Sequence, residues 1–249
     1  MKKGFDEGVE DIQAAISADR PVRDHGPYGL LIGDENLHYE PVVVHEPVLT
    51  GNQILDAAGK HPARDYLLYR VLTDGLIEEI RPEEQTDLRR HGGEKFLAFR
   101  SDRSFRFELN DRATDWGATR ISGRTLKKLA EVHVATHDVF LVVDGREDRL
   151  IGDTELFDLA APGVECFVTR PIDVTIVVNT RPRQVRQRQL TYWEVVKIAY
   201  PEAVPSPTIR YTVTYSNGPH ENPEGNMQDG QIVLIKNRMI FNVTPTDKS

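Results

Sequence analysis

The sequence predicts an α+β protein made of three tandem copies of one small module: a hairpin, a short helix and a returning strand. Three observations predict it. First, an apolar residue followed by Ser or Thr, with another apolar residue four places on, recurs in VLTGNQIL (48–55), RISGRTLKKLA (120–130) and QLTYWEVVKIA (189–199). Second, each copy is followed by a β-prone run ending in a turn dipeptide: DYLLYRVLTDG (65–75), DVFLVVDG (138–145) and TIRYTVTYSNG (208–218). Third, each ends in a strand around one phenylalanine: EKFLAF (94–99), ECFVTR (165–170) and MIFNVT (239–244). That phenylalanine follows the turn glycine by 21, 22 and 23 residues, from Gly75 to Phe96, Gly145 to Phe167 and Gly218 to Phe241.

Taken in chain order, residues 1–27 lie outside the repeat. They read as a disordered arm or as a short amphipathic helix using Val9, Ile12 and Ile16. Each module then opens on a hairpin. FRFELNDRATDWGATR (105–120) turns at Asn-Asp and VTIVVNTRPRQVRQRQ (174–189) at Asn-Thr, and the turn Asn precedes the cap hydroxyl by 12 residues in both. The first hairpin, GLLIGDENLHYEPVVVHEP (29–47), is looser. Thr50, Ser122 and Thr191 read as helix N-caps, whose oxygens satisfy orphan N–H groups. Positions four, seven and eight beyond each cap form the apolar face of a helix of about ten residues, which must dock to be stable. A variable stretch with one short strand follows, then the closing strand.

Hairpin, helix, strand, turn and a returning strand is the order of a β-grasp, or ubiquitin-like, domain. The boundaries read as 28–101, 102–170 and 171–243, with an exposed tail over 244–249. The final strand is placed to end at Val243, with Val168-Thr169 in register with Val243-Thr244. The junctions are short, and Pro171 stiffens the second.

Composition narrows the function classes. The net charge of −8 argues against a nucleic-acid binder, which needs a basic face. No stretch is long and apolar enough to span a membrane, and a single cysteine, Cys166, suits a reducing, cytoplasmic setting. No phosphate loop, paired-carboxylate signature or nucleophile motif stands out, so the chain reads as no enzyme, with no cofactor and no catalytic residue. His133 and His137 read as a solvated helix end rather than metal ligands, and Cys166 as a buried, inert thiol. Arg181, Arg183, Arg186 and Arg188 read either as an exposed hairpin or as an electropositive patch for an acidic partner protein. Trp116 and Trp193 read as packing residues, with Trp193 off the core face and so also a candidate contact residue.

The third module resembles the bacterial multiubiquitin proteins, through VTIVVNTRPRQVRQRQLTYWEVVKIAYP, TIRYTVTYSNG and GQIVLIKNRMIFNVTPTDKS. The close match covers about residues 172–249; the first two modules match in pattern. The resemblance implies a protein modifier or its precursor. Its partners would be an E1-like adenylating enzyme, an E2-like carrier, a trimming or deconjugating peptidase and a target protein. The working end would then be Thr244, Pro245, Thr246, Asp247, Lys248 and Ser249, which lack a terminal Gly-Gly. Three options follow: Ser249 is activated directly, a peptidase trims the chain to an internal residue such as Asp247, or the chain is not conjugated. The alternative is a scaffold of stacked β-grasp modules that self-associates through free sheet edges.

Overall fold

The computed structural model describes residues 5–72, 75–90, 93–161, 163–206 and 209–247. Each repeat builds a mixed sheet of five strands, to which repeat one adds a sixth from the N-terminal arm, in one order: second hairpin strand, first hairpin strand, closing strand, third strand, fourth strand. In repeat three these are Arg181–Val185, Val174–Val178, Ile240–Asp247, Ile209–Ser216 and Gly225–Met227. The closing strand lies parallel to the first in every repeat, pairing Leu31 with Lys95, Leu109 with Phe167 and Val178 with Phe241. This is the β-grasp arrangement, and the fold is α+β.

The hairpins of repeats two and three turn through two left-handed residues, Asn110-Asp111 (φ 50° and 63°) and Asn179-Thr180 (φ 46° and 66°). Such turns match the natural twist of the flanking strands. The variable stretch holds two short strands rather than one. The extra strand pairs with the residues just before the helix, as in Gln85–Asp87 against Val48–Thr50.

All three N-caps form. Thr50, Ser122 and Thr191 accept from the amides of Gln53, Thr125 and Glu194, and Thr50 and Thr191 complete reciprocal capping boxes. The helices are shorter than the sequence suggests: Gly51–Ala57, Gly123–Leu129 and Tyr192–Ala199. Ile54, Leu126 and Val195 are fully buried, as the spacing requires. With barely two turns, the residues at five beyond the cap also turn inward, and these are Leu55, Lys127 and Val196. Lys127 is tolerated there because its ammonium reaches Asp153 at 2.6 Å.

By internal contacts the chain divides into two units, Met1–Val132 with Val139–Thr169, and His133–Asp138 with Arg170–Ser249. The first unit holds repeats one and two, and the second holds repeat three. Repeats one and two share one core, in which Tyr69, Leu97 and Phe99 from the first sheet join Phe107, Trp116, Leu126 and Val139. Phe99 meets Tyr69 edge-on at 5.6 Å and Trp116 at 4.7 Å between ring centroids. A Cβ on Gly117 would come within 2.6 Å of the Phe99 side chain, so the close approach depends on that glycine.

Part of the N-terminal arm is ordered on repeat one. Glu10–Asp11 pairs in parallel with Tyr28–Gly29, and Asp11 caps the helix Ile12–Ser17, whose Ile12 and Ala15 are fully buried. Val9 precedes the helix instead of lying on its face, and Glu10 is buried between Arg20 at 2.5 Å and Arg23 at 2.6 Å.

Candidate functional site

The closing strand of repeat three, Ile240–Asp247, is the candidate working end. The sequence pattern stops it at Val243, but the antiparallel ladder with Ile209–Ser216 runs on to Asp247 opposite Ile209. Thr244, Pro245 and Thr246 are exposed yet remain strand residues, not a loose tail. Lys248 and Ser249 lie outside the described residues.

The two sides of this strand differ. Its parallel partner ends at Val178, so that side is covered only as far as the turn. There Asn179 takes over: its amide donates to the Phe241 carbonyl (2.9 Å), its Nδ2 donates to the Val243 carbonyl (3.0 Å), and its Oδ1 accepts from the Val243 amide (2.8 Å). Phe241 and Val243 thus aim their backbone groups at the first strand. Backbone groups alternate sides along a strand. Pro245 therefore turns its nitrogen to the bare side and forfeits no ladder bond, the one way a strand accommodates proline.

Repeat two repeats this latch. The Asn110 amide donates to the Phe167 carbonyl, and Asn110 Oδ1 accepts from the Thr169 amide at 2.8 Å. Thr169 is thus the counterpart of Val243, one residue away from the register read in the sequence, and Pro171 becomes the counterpart of Pro245. The turn asparagines, 12 residues before the caps of repeats two and three, read in the sequence only as turn formers. Repeat one lacks the latch, because Gly33 holds the corresponding place opposite Leu97 in a longer hairpin.

Aromatic side chains brace the closing strand and its antiparallel partner, Ile209–Ser216. Tyr192 Oη donates to the Tyr211 carbonyl at 2.7 Å, and Tyr200 Oη donates to the Val243 carbonyl at 3.3 Å. The Tyr211 ring packs against Trp193 at 6.2 Å and Tyr200 at 5.6 Å. Burial pushes the Tyr192 hydroxyl up, only partly offset by its bond to Tyr211, which keeps it a donor at neutral pH. Trp193 is half-buried in this cluster, so its ring is a fastening as well as a surface.

The four arginines do not form one patch. Arg181 and Arg183 are exposed on the edge strand Arg181–Val185 with Pro182 between them, and Arg186 is exposed in the bend that follows. Arg188 is removed from the set: its Nη2 and Nε hold the buried Asp138 carboxylate at 2.6 and 3.0 Å. Asp138 belongs to the segment His133–Asp138 that the second unit takes in, tied also by the Ile172 amide on the Thr136 carbonyl.

Cys166 is half-buried rather than buried, because Phe167 takes the core-facing position of that strand. Burial pushes its thiol up, and Glu108 at 3.5 Å adds to this, so the thiolate is disfavoured. Among the described residues no group of three or more His, Cys, Asp or Glu could hold a metal ion, and no helix is long and apolar enough to cross a membrane.

A family model described as Multiubiquitin matches the chain three times, over residues 39–101, 105–172 and 174–247. The third match ends where the ladder ends, and the first begins after the strand Tyr28–Gly33. No curated protein matches the chain.

Proposed function

Since the chain belongs to the multiubiquitin family, an array of ubiquitin-like modules, we propose that it is a non-enzymatic protein modifier or the precursor of one. In this reading an E1-like enzyme adenylates the C-terminal carboxylate with ATP, releasing pyrophosphate. A carrier thiol then attacks the acyl-adenylate, releasing AMP, and the acyl group passes from an E2-like carrier to a target nucleophile. The chain supplies no catalytic side chain to this chemistry; it supplies a carboxylate on a projecting strand. A peptidase that trims the chain to an internal residue such as Asp247, or removes it from targets, completes the set of partners. We place the protein in the cytoplasm, where the lone thiol of Cys166 stays reduced.

The observation that carries the reading is the projecting strand. Beyond Val243 it has a bare side and three exposed residues, against which a partner can dock. Arg181, Arg183 and Arg186 are the candidate contacts for an acidic partner surface, with Trp193 beside the strand. The scaffold alternative draws on the shared core of repeats one and two. Against it, Pro182 with its flanking arginines and Pro245 sit on the exposed edges of repeat three, where such residues discourage strand pairing.

Intact mass spectrometry of the protein from its native host tests this. Covalent adducts through the terminal residue are expected, and they should vanish when residues 244–249 are deleted. Unmodified chain alone, while the system is active, would sink the modifier reading.

A further inference from the structure

The closing strand of repeat three is fastened in two different ways along its length. Up to Val243 it is held on both sides. Val243 itself is fixed by both its amide and its carbonyl, through Asn179 and Tyr200. Beyond it the strand is held on one side only. There Thr244 and Thr246 direct their backbone groups at Thr212 and Arg210, their ladder partners. The Tyr211 carbonyl points out of that ladder, and the Tyr192 hydroxyl satisfies it.

This bracing is special to repeat three. Where Tyr192 stands, counted from the cap, the other repeats have Gly51 and Gly123. In place of Trp193 they have Asn52 and Arg124, and in place of Tyr200 they have Gly59 and Glu131. Gly51 and Gly123 could not exchange places with a tyrosine: a Cβ there would meet the Arg81 carbonyl at 2.6 Å and the Gly152 carbonyl at 2.4 Å. Three departures from the repeat therefore converge on one two-stranded ribbon.

Resting on the modifier reading, we propose that this ribbon is a gate on the C-terminal end. Asn179 and Tyr200 are positioning residues that pin Val243 as the hinge. Residues 244–247 close against 209–212 in the resting chain, and the end becomes available to a partner only when that pairing opens. The hinge also sets the reach. Only residues beyond Val243 can enter a partner's channel, and each extended residue adds about 3.3–3.6 Å of reach. Four residues paired on one side make a short ladder, and such elements open at the low-stability end of a fold. The gate is therefore closed at rest yet within a partner's means to open.

Two measurements on the full-length chain test this without any partner. In amide hydrogen exchange, Thr244 and Thr246 are expected to exchange at least tenfold more slowly than in an unstructured peptide. Tyr192→Phe and Tyr200→Phe each delete one hydroxyl and should each speed that exchange about fivefold, the worth of one hydrogen bond. Exchange at the Val213 amide should stay unchanged, which a general loss of stability would not allow. Unstructured rates at Thr244 and Thr246 in the native chain, or no change in either variant, would overturn the proposal.

The second measurement is carboxypeptidase trimming. Digestion should slow through 244–247 and stop at Val243. Trimming that runs past Val243 in the folded chain would refute the hinge. Conjugation in the host does not enter either readout, so the gate and the modifier reading fail separately.

Discussion

Replacing Asn179 by alanine tests the latch that decides where the closing strand leaves the sheet. The substitution deletes two hydrogen bonds to Val243, at 3.0 and 2.8 Å, each worth about 0.5–1.5 kcal/mol. It also asks alanine to hold φ 46°, in the left-handed region where an L residue with a Cβ is disfavoured by about 1–2 kcal/mol. Together these give a loss of about 2–5 kcal/mol for Asn179→Ala. Asn179→Gly loses the same hydrogen bonds without the steric term, for about 1–3 kcal/mol. Urea unfolding followed by tryptophan emission separates the two units, because Trp116 sits in the first and Trp193 in the second. The Trp193 transition should fall by about 1–2 M for the alanine variant and less for glycine, with the Trp116 transition unmoved. If alanine and glycine unfold together, the left-handed turn is not the constraint described. If both match the native chain, the latch contributes nothing.

Three further outcomes follow from the same geometry. Phe99→Ala should lower the stability of the first unit by about 3–5 kcal/mol, because the ring is fully buried in the core shared by repeats one and two; an unchanged thermal midpoint would mean that the core is not shared. Burial works to raise the Glu194 carboxyl, but hydrogen bonds from Gln187 and from the Thr191 amide and hydroxyl outweigh it and hold it below the ordinary value of 4.5. Its contribution is therefore fully present above pH 4.5 and is lost as the pH falls through the folded value. Glu194→Gln, which copies the Gln53 cap of repeat one, should flatten this acid limb in denaturant midpoints measured against pH. Arg188→Ala leaves the buried Asp138 carboxylate without its guanidinium and should destabilise the second unit by about 1–3 kcal/mol in urea, with Arg188→Lys recovering part of the loss.

The sequence by itself determined the repeat, the order of elements in each module and the three helix starts. Those features are local. A cap hydroxyl, a two-residue turn and the spacing of apolar residues act within a few residues of one another, and Thr50, Ser122 and Thr191 each cap as their spacing requires. Contacts made across long sequence separations were decided only by the tertiary structure. Nothing near Phe99 in the chain says that Trp116 will meet its ring and fuse two modules into one core. Nothing near Arg188 says that Asp138, fifty residues earlier, will claim it. Asn179 reads as a turn former from its neighbours, yet its side chain fixes Val243, 64 residues on, and shifts the register by one. The polar run after Val243 looks like a strand's end for the same reason. Its pairing partner is Ile209–Thr212 in another part of the chain, and a ladder is bounded by where its partner stops, not by the composition of one strand.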